Sequence, residues 1–202
     1  MPLAGPLARS PISVPGGRTV EDGWEVSTRR SAAALRLSDA SSVAKVSVRA
    51  DPDGPLARAL GVRFRGSGRY DGVLVIGSGP GEWLLVGKVG AAPEIAERVR
   101  GLVDGEFVST VDLTHGRALM RLTGGDGARA LSKVCAVDLS DAATPEGAAF
   151  RTSVAKVATD VVRDDAGAGE RSYLLHCERS SGQYLFDCLL DAGKEFGVEP
   201  TG

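Results

Sequence analysis

Asp53-Gly54-Pro55-Leu56-Ala57-Arg58-Ala59-Leu60 is echoed later in the chain by Asp126-Gly127-Ala128-Arg129-Ala130-Leu131. In both stretches an acid and a glycine lead into a run of Ala, Leu and Arg, residues that favour a short helix. The likeness extends outward on both sides and in the same order. Upstream stand Asp39-Ala40-Ser41 and Asp112-Leu113-Thr114, 73 residues apart. Downstream stand Trp83-Leu84-Leu85 and Tyr173-Leu174-Leu175, 90 residues apart, each leading into a second helical segment. The Ala-Arg pairs are 71 residues apart, so the second copy carries an insertion before its aromatic-Leu-Leu strand. Three matches in one order predict an internal duplication. The boundaries are an extended Pro/Gly-rich arm over residues 1–30, a first half over 31–105 and a second over 106–198, with 31–198 packed as one body.

Periodicity fills in the halves. Ala44, Val46 and Val48 alternate as a half-buried strand. Pro55–Leu60 reads as a helix stopped by Gly61, and Val73–Ile76 and Trp83–Val86 as strands about the Gly77-Ser78-Gly79-Pro80-Gly81 turn. Residues 92–103 place Ile95, Val99, Leu102 and Val103 on one helical face. In the second half 107–113 and 118–122 read as strands and 126–135 as a helix. Strands follow at 154–157, 161–162 and 173–177, then a helix at 183–196. Short connections and mixed elements predict an α+β fold: two similar antiparallel sheets with helices packed against them.

Composition excludes several classes. The chain has 202 residues, 43% hydrophobic and 25% charged, with a formal net charge of −2. A balanced globular composition leaves no field to gather nucleic acid or an anionic membrane. No apolar run approaches the ~20 residues that span a bilayer, and Pro2, Pro6, Pro11 and Pro15 interrupt any secretory signal. Cys135, Cys177 and Cys188 are an odd number without C-x-x-C spacing, as expected of buried thiols in a reducing compartment. A cytoplasmic protein is expected.

Chemistry-bearing motifs are sparse. The Gly77–Gly81 stretch resembles a phosphate loop, but Pro80 has no N–H and Glu82 repels phosphate, so it reads as a hairpin turn. His115 and His176 stand at no metal-ligand spacing. His176 and Cys177 adjoin on a strand and face opposite ways, which argues against a dyad; Cys135 is placed on a helix as core. Asp164-Asp165 reads as a solvated hairpin tip. The densest polar cluster is Asp112-Leu113-Thr114-His115-Gly116-Arg117, either a structural turn or a docking loop. With Trp83, its Asp112, His115 and Arg117 are the candidate partner-interface residues. The alternative is a small-ligand module of its own that binds between the halves, with Arg117, Arg121 and Arg151 facing an anionic tail. A Cys135-dependent enzyme is a third possibility. Catalytic, cofactor-binding and metal residues are expected to be none.

Four segments in order resemble the gamma subunits of heterotetrameric sarcosine oxidases: Gly79-Pro80-Gly81-Glu82-Trp83-Leu84-Leu85, Asp112–Ala118, Lys133–Leu139 and Leu189–Gly197. Gly81 stands where that family tends to have Asp, and Val134 where Gly is usual. Only Lys133 and Cys135 match the signature of the related folate-dependent iron–sulfur maintenance proteins. The resemblance implies a fold similar to the folate-binding module of glycine-cleavage aminomethyltransferases, and under the small-ligand alternative it makes the ligand folate or a pterin, its glutamate tail facing those three arginines. It also implies a non-catalytic accessory subunit with alpha, beta and delta partners. FAD, FMN, NAD, zinc and tetrahydrofolate would then belong to those partners and none to this chain.

Overall fold

The computed structural model describes residues 6–202, the side chain of Ala168 excepted. A small sheet comes first: β1 (Ala8–Arg9), β2 (Arg18–Glu21) and β3 (Trp24–Ser27), in the order β1-β3-β2. β4 (Arg36–Asp39) leads into β5 (Ala44–Arg49), α1 (Pro55–Leu60), β6 (Ser67–Tyr70), β7 (Val73–Gly79), β8 (Glu82–Gly87) and α2 (Ala92–Gly101). β9 (Ser109–Asp112) then leads into β10 (Arg117–Thr123), α3 (Gly127–Ser132), β11 (Ala149–Val154), β12 (Val157–Arg163), β13 (Ser172–Glu178), α4 (Gly182–Gly193) and β14 (Glu199–Thr201). One large sheet has the order β6-β7-β8-β5-β9 and the other β11-β12-β13-β10-β4-β14. The run strand, helix, three strands, helix therefore occurs twice, with the strands in the same spatial order.

The sheets lie face to face between outer helices, making four layers. Leu56 and Leu60 of α1 and Ile95 and Val99 of α2 bury Val46, Val48, Val75, Trp83 and Leu85 of one sheet. Leu131 of α3 and Leu185, Phe186 and Leu189 of α4 bury Ala118, Met120, Leu122, Tyr173 and Leu175 of the other. Between the sheets, Leu74, Ile76 and Leu84 meet Leu119, Val162 and Leu174. Period-2 alternation sends neighbouring residues of one strand into different cores, Leu119 inward and Met120 toward the helices. Local signals start and stop α1 as expected: Pro55 opens it, and Gly61, at φ 66°, returns its N–H to the Ala57 carbonyl.

The halves are interlocked by an exchange of their leading strands. β4 precedes β5 but pairs with β10, and β9 precedes β10 but pairs with β5. The two pairings are reciprocal in register, Met120 opposite Asp39 and Val46 opposite Asp112. The crossings match as well. Ala40 N–H donates to the Leu119 carbonyl at 2.9 Å, and Leu113 N–H to that of Lys45 at 2.7 Å. Ser41 Oγ accepts the Leu119 N–H at 3.2 Å, and Thr114 Oγ1 the Lys45 N–H at 3.1 Å. Sequence boundaries at 31–105 and 106–198 thus do not coincide with the sheets, since each half lends one strand to the other.

Several expectations need correction. Residues 1–5 of the expected arm lie outside the described residues, but 6–30 do not extend away. Ile12 and Val14 join the core beneath α4, and Asp22-Gly23, at φ 48° and 79°, closes a hairpin between β2 and β3. The strand expected over 154–157 is broken in its middle: Val154 ends β11 and Val157 opens β12, and Ala155 and Lys156 between them take φ 47° and 67°, the pair of left-handed residues a tight hairpin requires. The helix expected to reach Cys135 stops at Ser132, and Cys135 instead bridges to Val154. Gly77, Ser78 and Gly79 belong to β7, leaving only Pro80-Gly81 as the turn. Asp164 is not at a wet tip: it is buried between Arg69 and Arg121, and Asp165 pairs with Arg163.

Candidate functional site

The polar cluster at 112–117 forms the corner where β9 passes into β10. Asp112 Oδ1 accepts the Thr114 N–H at 2.8 Å, an Asx turn, and Gly116 N–H returns to the Leu113 carbonyl at 3.0 Å. Thr114 is held inside the strand crossing, which pushes His115 out into solvent. There its ring stacks flat on Trp24 of β3, centroids 4.8 Å apart and planes 5° from parallel. Arg117 pairs with Glu178 of β13 at 2.6 Å. Arg179 donates to the His115 carbonyl at 3.4 Å and to that of Arg9 at 2.7 Å, and Glu25 holds Arg18 at 2.9 Å. The corner is thus a rigid polar surface onto which the N-terminal sheet is fastened.

The structure brings Asp112, His115 and Arg117 together and leaves Trp83 out. Trp83 lies on β8, separated from β9 by β5, and is 4% exposed. Its indole N–H donates to the Val62 carbonyl at 2.8 Å, so it is a satisfied core tryptophan with one edge on a cavity of about 670 Å³.

Beneath the corner lie ionisable groups enclosed between the sheets. Lys45 is completely buried, and its Nζ donates to the carbonyls of Ser41 at 2.7 Å and Val43 at 2.8 Å. Burial pulls its pKa from 10.5 to about 8, against the opposing fields of Asp39 and Asp112. His176 Nδ1 is 3.3 Å from Asp160 Oδ2, and its Nε2 is buried without a partner among the described residues. Burial lowers its pKa more than Asp160 raises it, which favours the neutral imidazole. Cys177 faces the helices instead, and burial pushes its thiol up to about 11, away from the thiolate a nucleophile needs. Among the described residues no three His, Cys, Asp or Glu side chains gather as metal ligands, and no helix is long and apolar enough to cross a membrane.

The three arginines proposed for a ligand tail do not converge. Arg117 and Arg121 lie four residues apart on β10, roughly 13 Å at strand spacing, and Arg151 lies three strands away beside Asp160. Only Arg121 lines the cleft between the sheets, of about 290 Å³, with Arg69 and Lys88 at its rim and no aromatic ring in its lining. Its guanidinium is already engaged by Asp164 and by Ser172 Oγ at 2.8 Å.

Residues 42–202 match the GCVT N-terminal domain. The chain belongs to the GCVT N-terminal domain family. Among its relatives is the sarcosine oxidase subunit gamma of Corynebacterium sp. (strain P-1), 27% identical over 179 residues that make up 84% of this chain and 85% of the relative. The aminomethyltransferase of Geobacillus thermodenitrificans (strain NG80-2) is 31% identical over 136 residues, 67% of this chain but only 36% of the enzyme. Among solved structures, a chain of the heterotetrameric sarcosine oxidase from Corynebacterium sp. U-96, in complex with pyrrole 2-carboxylate, superposes with a TM-score of 0.69 and 25% identity. The match covers 83% of this chain and 88% of that one.

Within this GCVT-type fold, sequence reasoning missed Trp24, Arg179 and Lys45. Trp24 could have been found, since Asp22-Gly23 between Thr19-Val20-Glu21 and Trp24-Glu25-Val26 carries the strongest short hairpin signal. Arg179 and Lys45 carried none, because their placement depends on which sheet covers which.

Proposed function

We propose that the chain is a non-catalytic accessory and assembly subunit of a sarcosine-oxidase-type heterotetramer, the oxidative demethylation of sarcosine being carried out on its partners. One observation carries this reading: the match to the gamma subunit runs nearly end to end in both chains, whereas it takes in about a third of the aminomethyltransferase. The chemistry of the interior is consistent with it. The buried histidine is held toward the neutral form, the neighbouring thiol toward the protonated form, and Arg121 is saturated by internal partners.

In this reading FAD, FMN, NAD, zinc and tetrahydrofolate belong to the alpha, beta and delta partners. The three unpaired thiols fit assembly in the cytoplasm. The rigid corner of Asp112, His115 and Arg117 is the docking face, with Trp24 as its aromatic floor. A stacked aromatic pair ringed by arginines is the composition that carries binding energy at protein interfaces.

The test replaces His115 and Arg117 together by Ala. Neither side chain is part of the core, so the isolated chain should stay folded, losing no more than about 1–2 kcal/mol with the stack on Trp24 and the pair to Glu178, while its co-purification with the partner subunits falls at least tenfold. Unchanged co-purification would remove the corner from the interface.

A further inference from the structure

The cavity beside Trp83 has a second unusual feature, the loop that forms its outer wall. Residues 62–66 connect α1 to β6 and present Arg63, Phe64 and Arg65 to solvent. Phe64 is 53% exposed although apolar cavity surface lies next to it. The backbone holds it there. Arg65 takes φ 71°, a left-handed conformation disfavoured for a residue with a side chain. Its N–H donates to the Gly77 carbonyl at 3.1 Å, and its own carbonyl accepts the Ala149 N–H at 3.0 Å. Gly77 permits the close approach, since a Cβ there would stand 2.2 Å from the Arg63 carbonyl oxygen. The loop is thus pinned to both sheets in a strained form, a state that persists only where its surroundings over-determine it and that recurs at binding sites.

Arginine outnumbers acid in the lining of the cavity. Arg58 and Arg63 line it against Asp53 alone. Arg49 and Glu82 nearby neutralise each other, whereas neither Arg63 nor Arg65 forms a salt bridge with a carboxylate among the described residues. The recess between Phe64, Pro80 and Trp83 is apolar.

We propose that this cavity and the Arg63-Phe64 tip form a second docking surface, which takes a segment of a partner subunit bearing an apolar side chain beside a carboxylate. This rests on the accessory-subunit reading and adds to it the chemistry of the partner. The apolar side chain enters between Phe64, Pro80 and Trp83, and the carboxylate meets Arg63. Because the loop is already fixed, little ordering entropy is lost on docking.

The test measures the dissociation constant of the full chain for its isolated partner subunits, with wild type, Phe64→Ser and Arg63→Glu. Amide exchange is followed in the wild-type complex. Both replaced side chains are exposed, and equal denaturation midpoints verify that the variants fold. Phe64→Ser should weaken binding about 30-fold or more, the effect of losing a buried aromatic anchor. Arg63→Glu should weaken it about tenfold and flatten its salt dependence. Amides of 61–66 and 79–83 should gain protection on assembly. If wild type binds and both variants bind within about twofold of it, with no added protection, this surface is not an interface and the accessory-subunit reading stands. If wild type binds no partner, that reading fails and this surface with it. Self-association abolished by Phe64→Ser would assign the cavity to a second copy of the chain and overturn the proposal.

Discussion

Replacing Lys45 with Met should change how the stability of this chain depends on alkaline pH. Lys45 is the one lysine with no exposed surface, and it sits at the crossing of the exchanged strands. Its ammonium is surrounded by the Ser41 and Val43 carbonyls, with Asp39 and Asp112 attracting it and Arg179 opposing them. Desolvation outweighs these partners and takes the pKa from 10.5 to about 8. A displacement of that size corresponds to about 3 kcal/mol between protonated and neutral forms. Between pH 8 and 10.5 the unfolded chain keeps its proton while the folded chain has released it, so stability rises with pH across that window. Below pH 8 both states are protonated and the full cost of the buried charge is present. Methionine keeps the length of the side chain without the charge. Urea denaturation of both proteins at pH 7 and pH 10 should show wild type gaining about 2–3 kcal/mol relative to Lys45→Met over that interval. Tyr173 and Cys177, whose raised pKa values act in the opposite direction, are common to both proteins and cancel. A difference constant to within about 0.5 kcal/mol would show that the lysine is hydrated and refute the reasoning.

Two further outcomes follow from the same geometry. Burial lowers the pKa of His176, so the unfolded chain binds its proton first on acidification. Stability should fall as pH drops below about 6.5, with a slope of at most about 1.4 kcal/mol per pH unit; His176→Leu should lack that slope, as read from denaturation midpoints between pH 7 and 5. Trp83→Ala should cost about 3–5 kcal/mol of stability, the penalty of truncating a buried aromatic, whereas Trp83→Phe should cost nearer 1 kcal/mol for the lost bond to Val62.

The repeated Asp-Gly helix starts, the Leu-rich strands and the stop at Gly61 were legible because each is a local choice of backbone conformation. The architecture also depends on pairing between distant segments. Nothing in Arg36-Leu37-Ser38-Asp39 distinguishes a strand that pairs with its own half from one that pairs with the other. The exchange is visible only in the reciprocal register of Asp39 with Met120 and Asp112 with Val46. The same limit explains Lys45. Alternation of Ala44, Val46 and Val48 specifies one buried face and leaves position 45 for solvent, until the second sheet covers it. Asp164 was misread similarly, because Arg69 and Arg121 come from 95 and 43 residues away to enclose it. For the candidate site, the turn chemistry of Asp112, Thr114 and Gly116 was readable from local preferences. The stack of His115 on Trp24 joins residues 91 positions apart and was not.

The most direct test of the central claim is a tagged pull-down of the full chain from its native cells grown on a methylated amine, with subunits resolved by mass and the visible spectrum recorded. The accessory-subunit account predicts stoichiometric recovery with three further chains, one of them much larger, flavin absorption from those partners, and sarcosine oxidation by the assembly. Recovery of this chain alone and without colour, while sarcosine oxidase activity elutes elsewhere, would contradict it.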